Sequence, residues 1–505
     1  MGCRKEQATN PMTQSLKHNH YLTLVLCLSM AALTGCMVGP RYKRPTTDVP
    51  DEYRAPASLS NGGTASQTSS KLASNGASTA DNPTADKAAA SLGDEDWSKV
   101  FRDPELQRLI RTALRNNYDV RSAAARVLQA QAQLGITRAD QYPSLGVGGN
   151  ISGQNSPQLG PIPAYEITQG QVTASASWNL DFWGRYRRAS EAARATLLAN
   201  EWAQREVRAT LVANLAAAYF QLRELDLELE ISQRTFNSRT QSLQLTQTLE
   251  QHGINSLLDV RQSEQLVYTA ATEIPDFQRQ IAQQENAISI LTGNNPGDVP
   301  RGLKLTEQPH APEIPVGLPS SLLERRADVR QAEQSLIAAN AQIGVARAAY
   351  FPQISLTGSG GFESPALTNL FTGPAGIWSL AGSFTQPIFE GGRLKSGVRL
   401  AEAQHQQMLL TYQQTIQGAF RDVSNGLVAY RKNREFRIQQ EYLLASAQDA
   451  AKLSEVRFKA GTTDYLEVLT NETNSFSAEL GLAQAKTNEL IALVQLYQAL
   501  GGGWQ

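Results

Sequence analysis

The chain repeats itself once, and that repeat decides most of what it can become. Asp119-Val120-Arg121 recurs as Asp328-Val329-Arg330, and Ala132-Gln133-Leu134-Gly135-Ile136 as Ala341-Gln342-Ile343-Gly344-Val345. Tyr142-Pro143 recurs as Phe351-Pro352, and all three blocks share an offset of 209. Past one lost residue the offset is 208: Gly184-Arg185 matches Gly392-Arg393, Gly253 matches Gly461, and Gly293 matches Gly501. Leu257-Leu258-Asp259-Val260 matches Tyr465-Leu466-Glu467-Val468 in the same register. A register held over the whole body means a tandem duplication of a unit of about 200 residues.

Each unit reads helix, strand, strand, long helix, helix. Pro104 to Asp140 is rich in Ala, Leu, Arg and Gln, which predicts one helix, stopped by Pro143. Two alternating stretches follow. In residues 145–151, Leu145, Val147 and Ile151 fall on one face. In residues 172–182, Val172, Ala174, Ala176, Trp178, Leu180 and Phe182 face one way, and Thr173, Ser175, Ser177, Asn179 and Asp181 the other. Period two over eleven residues is a strand with one apolar side. The second unit repeats this with Ile354 and Leu356, then with Trp378, Leu380 and Phe384.

Nothing breaks the helical pattern from Gly184 to Gln251. Leu211, Leu215, Ala218, Leu222, Leu225 and Leu229 give it a coiled-coil seam. Gly253 supplies a left-handed cap. The next helix runs from about Ser256 to Leu291, its seam Ile274, Phe277, Ile281, Gln284, Ile288 and Leu291, with a kink expected at Pro275. In the second unit the seam runs Leu466, Leu469, Thr473, Phe476, Leu480, Ala483, Thr487, Leu490, Val494 and Tyr497. Residues 293–319 carry six prolines and read as a connector with room only for a short strand near Leu303–Leu305. The long helices, of about 70 residues, would span about 105 Å, and the shorter ones, of about 36, about 54 Å. Two short helices end to end match one long one, so the geometry asks for a wall of paired coiled coils rather than a globule.

Four strands of about ten residues have the length and one-sided apolarity of outer-membrane strands. Four cannot close a barrel, and an open edge in lipid leaves backbone groups unpaired. Several chains must share one barrel. Two would give a barrel filled by side chains and three would give 12 strands around water, which the polar face (Thr173, Ser175, Ser177, Asn179, Asp181) favours. A water-soluble sandwich edge is the competing reading, but Trp178, Phe182, Trp183, Trp378 and Phe384 would then need a partner sheet.

Reactive chemistry is scarce. The five histidines are His18, His20, His252, His310 and His405, and only the first two are close in sequence. The three cysteines, Cys3, Cys27 and Cys36, all lie in the first 36 positions, which excludes a disulfide framework, a zinc knuckle or a cysteine nucleophile from the body. No phosphate loop, Gly-x-Ser-x-Gly elbow or His-Glu-x-x-His occurs, so neither an enzyme nor a metal or cofactor is expected. Lys+Arg number 46 against Asp+Glu 47, which gives no electrostatic case for nucleic acid. A structural coiled-coil tether of the envelope is a further reading, but it has no use for a polar lumen face.

The N-terminus reads as an address. Lys17, His18 and His20 precede an apolar run from Tyr21 to Leu33, about 13 residues, which is a signal-peptide core rather than a membrane helix. Leu33-Thr34-Gly35-Cys36 then offers small residues before a cysteine. Cleavage there would free Cys36 for covalent lipid, and more than one acyl chain would anchor the protein stably. Ordinary secretory cleavage is the simpler alternative. Residues 1–11 read as an extension ahead of a second start at Met12. From Arg54 to Asp96 there is no aromatic residue, and Ser, Thr, Ala, Asn and Gly dominate, as in a linker. The organisation is therefore a leader over 1–35, a lipidated arm and low-complexity linker over 36–96, a first repeat over 97–293, a Pro-rich connector over 294–318 and a second repeat over 319–505.

Four motifs carry a resemblance: Cys36 with Gly39-Pro40-x-Tyr42-x-x-Pro45, the turns Asp181-Phe182-Trp183-Gly184-Arg185 and Pro387-Ile388-Phe389-Glu390-Gly391-Gly392-Arg393, and the terminal Ala499-Leu500-Gly501-Gly502-Gly503-Trp504. Through them the chain resembles the TolC-like outer-membrane efflux factors, in the lipoprotein branch of the OprM and NodT group. The resemblance implies an α+β membrane protein: a homotrimer with a 12-stranded barrel in outer-membrane lipid and an α-helical periplasmic tunnel. It implies docking to a periplasmic adaptor and an inner-membrane pump, usually of the resistance–nodulation–division class, with export of drugs or other small molecules. A duct for protein secretion by an ATP-driven exporter is the alternative within the same family.

The resemblance also assigns sites. The hairpin tips at Gly253 and Gly461, with Leu257 and Tyr465, would meet the adaptor, and Gly184, Arg185, Gly391, Gly392 and Arg393 would turn the barrel into the helices. In OprM-like members an aspartate rings the closed periplasmic aperture; the matching position is Thr470, the neighbouring basic gate position is Thr473, and a gating tyrosine position is Phe458. The charged latch is therefore not matched residue for residue. Leu466 keeps the hydrophobic constriction, and Asp464, Glu467 and Glu472 lie near enough to supply acid, unless they simply form a solvated helix face.

Overall fold

The computed structural model describes residues 37–47, 50, 53, 91–158, 160–161, 163–309 and 319–504. Cys36, the leader and most of the linker lie outside the described residues. After a 3-10 turn at Leu92–Asp94 the elements are α1 (Trp97–Val100), α2 (Pro104–Asn116), α3 (Tyr118–Ala139), β1 (Ser144–Ser156), β2 (Tyr165–Leu180), α4 (Arg185–Gln251) and α5 (Leu257–Leu291). The second repeat gives α6 (Pro319–Arg325), α7 (Ala327–Ala348), β3 (Gln353–Ser364), β4 (Gly376–Thr385), α8 (Arg393–Lys459) and α9 (Tyr465–Ala499). The two long helices have 67 residues each and the two that follow them 35 each. None of the described helices is apolar and long enough to cross a membrane.

Three expectations need correction. The helix expected over Pro104 to Asp140 is two helices, because Asn117 leaves the helical region (φ −57°, ψ 133°) between α2 and α3. Its Oδ1 accepts from Asp119 N at 2.8 Å and Val120 N at 3.2 Å, an N-cap that satisfies the open amides of α3. Its Nδ2 donates to Leu291 O at 3.0 Å, so the break also fastens α5. The short strand near Leu303–Leu305 is a 3-10 turn over Leu305–Glu307. Finally, β2 ends at Leu180, so Asp181 and Phe182 leave the strand faces; Asp181 instead accepts from the Tyr186 and Arg187 amides, at 3.2 and 2.9 Å, and caps α4. Pro275 lies inside α5, which continues through it.

The described residues form two compact units, each drawing from both repeats: those within Met1–Pro45, Leu128–Ala199 and Glu333–Thr411 in one, those within Thr46–Val127, Asn200–Ala332 and Tyr412–Gln505 in the other. The first contains the sheet, antiparallel throughout in the order β1-β2-β3-β4. Its register makes the two faces unlike. Val147, Ala174, Gly360 and Trp378 stand in one row and Leu145, Ala176, Gly358 and Leu380 in the next, while Gly146, Ser175, Ser359 and Ser379 stand in the row between them, on the opposite face. On the polar face the Ser359 and Ser379 hydroxyls bond at 2.8 Å and those of Ser355 and Ser383 at 2.6 Å. On the apolar face Trp378 is 83 % exposed and Leu145 82 %, which no water-soluble sheet of this size would leave uncovered.

The same unit holds the arm that follows Cys36. Val38 N donates to Trp183 O at 3.1 Å, and buried Arg188 donates to the carbonyls of Val38 and Gly39, each at 3.2 Å. Asn340 holds Pro40 O at 3.1 Å, and Arg44 pairs with Glu333 at 3.1 Å. Trp183 stacks on Phe351, with ring centroids 4.8 Å apart, and its Nε1 donates to Pro352 O at 2.8 Å.

The second unit holds the main core: Leu106, Ile110, Leu215, Tyr219, Leu222, Ile288, Val494 and Tyr497 pack together, drawn from α2, α4, α5 and α9. Buried Asp103 caps α2 and also accepts from Tyr219 Oη, Leu303 N and Gln308 Nε2, each at 2.9 Å, which pins the start of the connector.

Candidate functional site

The helical hairpins end in two turns built alike. At the first, Gly253 has φ +72° and Ile254 N donates back to Leu249 O at 2.9 Å. At the second, Gly461 has φ +71° and Thr462 N donates to Arg457 O at 3.0 Å. Both are glycine-capped helix ends that only a residue tolerant of positive φ closes without strain. Ser256 with Asp259 forms a capping box at the start of α5, and Asp464 caps α9 by accepting from Glu467 N at 3.3 Å.

The structure sorts the residues expected at the tips. Tyr465 is not available to a partner protein: it is 6 % exposed, in a cluster with Val468 and Leu469 against Leu266 and Phe458. Its ring lies 5.1 Å from that of Phe458, and it packs against Leu266 of the first hairpin. Burial raises its pKa, so it stays a neutral hydroxyl. Tyr465 is thus a packing tie between the hairpins. Leu257 is exposed as expected, together with Ile254 and Leu258, which sequence reasoning had not singled out.

Leu466, placed in the seam by its spacing, is instead 56 % exposed, because Tyr465, Val468 and Leu469 take the inward positions. Thr470, one turn later, is exposed on the same side of α9, and so is Thr473. The threonine hydroxyls are spent within their own helix: Thr470 donates to Leu466 O at 2.9 Å and Thr473 to Leu469 O at 2.8 Å. Each hydroxyl keeps its acceptor lone pairs for a neighbour. Glu467 is engaged as well, by Arg457 Nη1 at 2.7 Å and by the Thr463 hydroxyl. Glu472 is half-buried, and desolvation raises its pKa against the pull of Arg239. What remains outward-facing and uncommitted along α9 near the tip is therefore apolar Leu466.

At the other end of the long helices, Gly184 (φ +76°) and Gly391 and Gly392 (φ +57° and +87°) make the strand-to-helix turns. Arg393 closes its turn with a two-pronged pair to Glu390, at 2.9 and 2.7 Å. The Arg185 guanidinium lies 6.0 Å from the Tyr186 ring centre. Among the described residues no group of three His, Cys, Asp or Glu gathers in a way that could hold a metal.

A family model described as outer membrane efflux protein matches the chain twice, over residues 109–294 and 318–502. The chain belongs to this family. It is 35 % identical over 502 residues to the probable efflux pump outer membrane protein TtgC of Pseudomonas putida, covering 98 % of this chain and 96 % of that one. It is 34 % identical over 484 residues to the cation efflux system protein CusC of Escherichia coli, covering 95 % of this chain and 98 % of that one. Its structure superposes on the open state of the MtrE outer membrane channel of Neisseria gonorrhoeae with a TM-score of 0.80 at 30 % identity, covering 93 % of this chain and 99 % of that one. The two matched segments are the two repeats, and the sheet and hairpins are those of a channel. The protein is an outer-membrane channel of an efflux system, with helices that extend into the periplasm.

Proposed function

We propose that three copies of this chain close one 12-stranded barrel and one helical tunnel, which receives cargo from a periplasmic adaptor and an inner-membrane pump of the resistance–nodulation–division class. The observation that carries this is the sheet: four strands with one apolar and one polar face, and β1 and β4 left as open edges. In lipid those edges must pair, and β4 of one copy against β1 of the next does so at every junction. TtgC is named for an efflux pump and CusC for cation efflux, which suits a passive duct whose cargo is chosen upstream.

The same reading makes Cys36 the site of covalent lipid. The arm that begins one residue later is bound by Trp183, Arg188 and Asn340, so the lipid would enter the membrane beside the strand-to-helix turn. The tip of the second hairpin would be the periplasmic aperture. Three exposed Leu466 side chains brought together on a threefold axis make an apolar constriction that sheds water. With threonine at position 470, no ring of carboxylates draws in cations there, and cation selectivity is expected to be weak.

The test is the mass and conductance of the detergent-solubilised particle. Three chains with a single pore per particle is the expected result; a monodisperse monomer that still conducts would end the shared-barrel reading.

A further inference from the structure

Between the two hairpins lies a polar cavity of about 330 Å³, lined by Ser238 and Arg239 of α4, Lys452 and Glu455 of α8, and Glu472 and Ser475 of α9. Arg239 is its unusual member. The residue is only 3 % exposed, and its guanidinium lies 5.0 Å from the Phe476 ring centre. Nη1 donates to Leu266 O of α5 at 2.9 Å. Nε and Nη2 are buried and have no partner among the described residues. These two N–H groups lie on one edge of the guanidinium, the fork whose spacing matches two oxygens of a carboxylate or phosphate. Buried charged donors are seldom left empty, because desolvation is unrepaid.

The other charges around the cavity are mostly spoken for. Arg234 pairs with Glu479, and Glu455 with Lys459 at 2.6 Å. Lys452 stands exposed at the mouth, with no ion pair among the described residues. Glu472 faces Arg239 closely enough to be felt electrostatically, yet makes no hydrogen bond to it. Its burial disfavours the ionised form, which weakens it as a competitor for the fork.

We propose that this cavity is a binding site for a small oxyanion, gripped side-on by Arg239 Nε and Nη2, with Lys452 at its mouth. Because α4, α8 and α9 all line it, an occupied site bridges the first hairpin to the second. It would add to the duct function.

The experiment uses the purified full-length protein in detergent, titrated with inorganic phosphate and, in a parallel arm, acetate, at constant ionic strength. Calorimetry and thermal unfolding are read together. Saturable binding of one anion per chain that raises the unfolding midpoint is expected, and the stronger of the two arms gives the anion class. Arg239→Lys keeps the charge and removes the fork, and should weaken binding at least tenfold; Glu472→Gln should tighten it. Lys452→Met, at the exposed mouth, should weaken binding about threefold and serves if Arg239→Lys does not fold. No saturable binding of either anion, or binding unchanged in Arg239→Lys or in Lys452→Met, would overturn the proposal. So would Glu472→Gln losing stability in anion-free buffer, because Glu472 would then be the fork's own partner.

Discussion

Arg457 Nη1 and Glu467 Oε1 stand 2.7 Å apart across the Gly461 turn, tying the last turn of α8 to the first turn of α9. Both side chains are partly exposed, so the pair is worth at most about 1 kcal/mol. Its importance is positional: with Glu467 turned to Arg457 and Thr463, the acid nearest Leu466 is withdrawn from any ring.

The two hairpin glycines should be intolerant for backbone reasons alone. A Cβ at Gly253 or Gly461 would meet nothing within 4 Å, so only the positive φ objects. A β-branched residue there costs about 1–2 kcal/mol and misaims the turn. Gly461→Val should impair efflux in cells while the barrel still assembles, and Gly461→Asn should be milder. Wild-type drug tolerance in the valine variant, alongside normal protein levels, would show that the turn's aim is immaterial.

Stability should fall as pH rises through neutrality. Burial, aided by Glu224 and Glu273, pushes the carboxyl of Glu228 from the ordinary 4.5 up to about 7. The folded chain therefore holds a proton there that the unfolded chain has released, so the group favours folding least above about pH 7 and most below 4.5. Glu228→Gln should raise the unfolding temperature at pH 8 and leave it nearly unchanged at pH 5. An equal change at both values would mean that the residue does not titrate in this window.

Lipid on Cys36 should anchor rather than gate. The apolar sheet face already belongs in the membrane, and the arm from Met37 to Pro45 is held by protein contacts of its own. Cys36→Ser should reduce sorting or assembly more than single-channel conductance. Mass spectrometry of the mature N-terminus checks the premise, which fails if Cys36 is unmodified or cleavage lies elsewhere.

Periodicity made the architecture readable. The strand faces, both 67-residue helices and the Ser256 start of α5 stand where alternation, unbroken helical pattern and caps put them. Two of the misreadings share one cause, polar side chains that bond to nearby backbone. Asn117 splits a helix whose composition is uniformly favourable, and Asp181 ends a strand whose alternation continues past it. At the tip, spacing alone could not say whether Tyr465 or Leu466 faces inward. Packing decides it: Leu266, about 200 residues away in the chain, seats Tyr465 with Val468 and Leu469. The empty edge of Arg239 left no mark in the pattern at all, because it depends on where three helices leave a gap.

The most direct test of the aperture is single-channel conductance of Leu466→Ser in a planar bilayer, beside Glu467→Gln and wild type. If Leu466 forms the seal, Leu466→Ser raises conductance and admits large antibiotics into cells, while Glu467→Gln changes neither. Unchanged conductance in Leu466→Ser, with an opened pore in Glu467→Gln, would make the seal electrostatic and contradict this account.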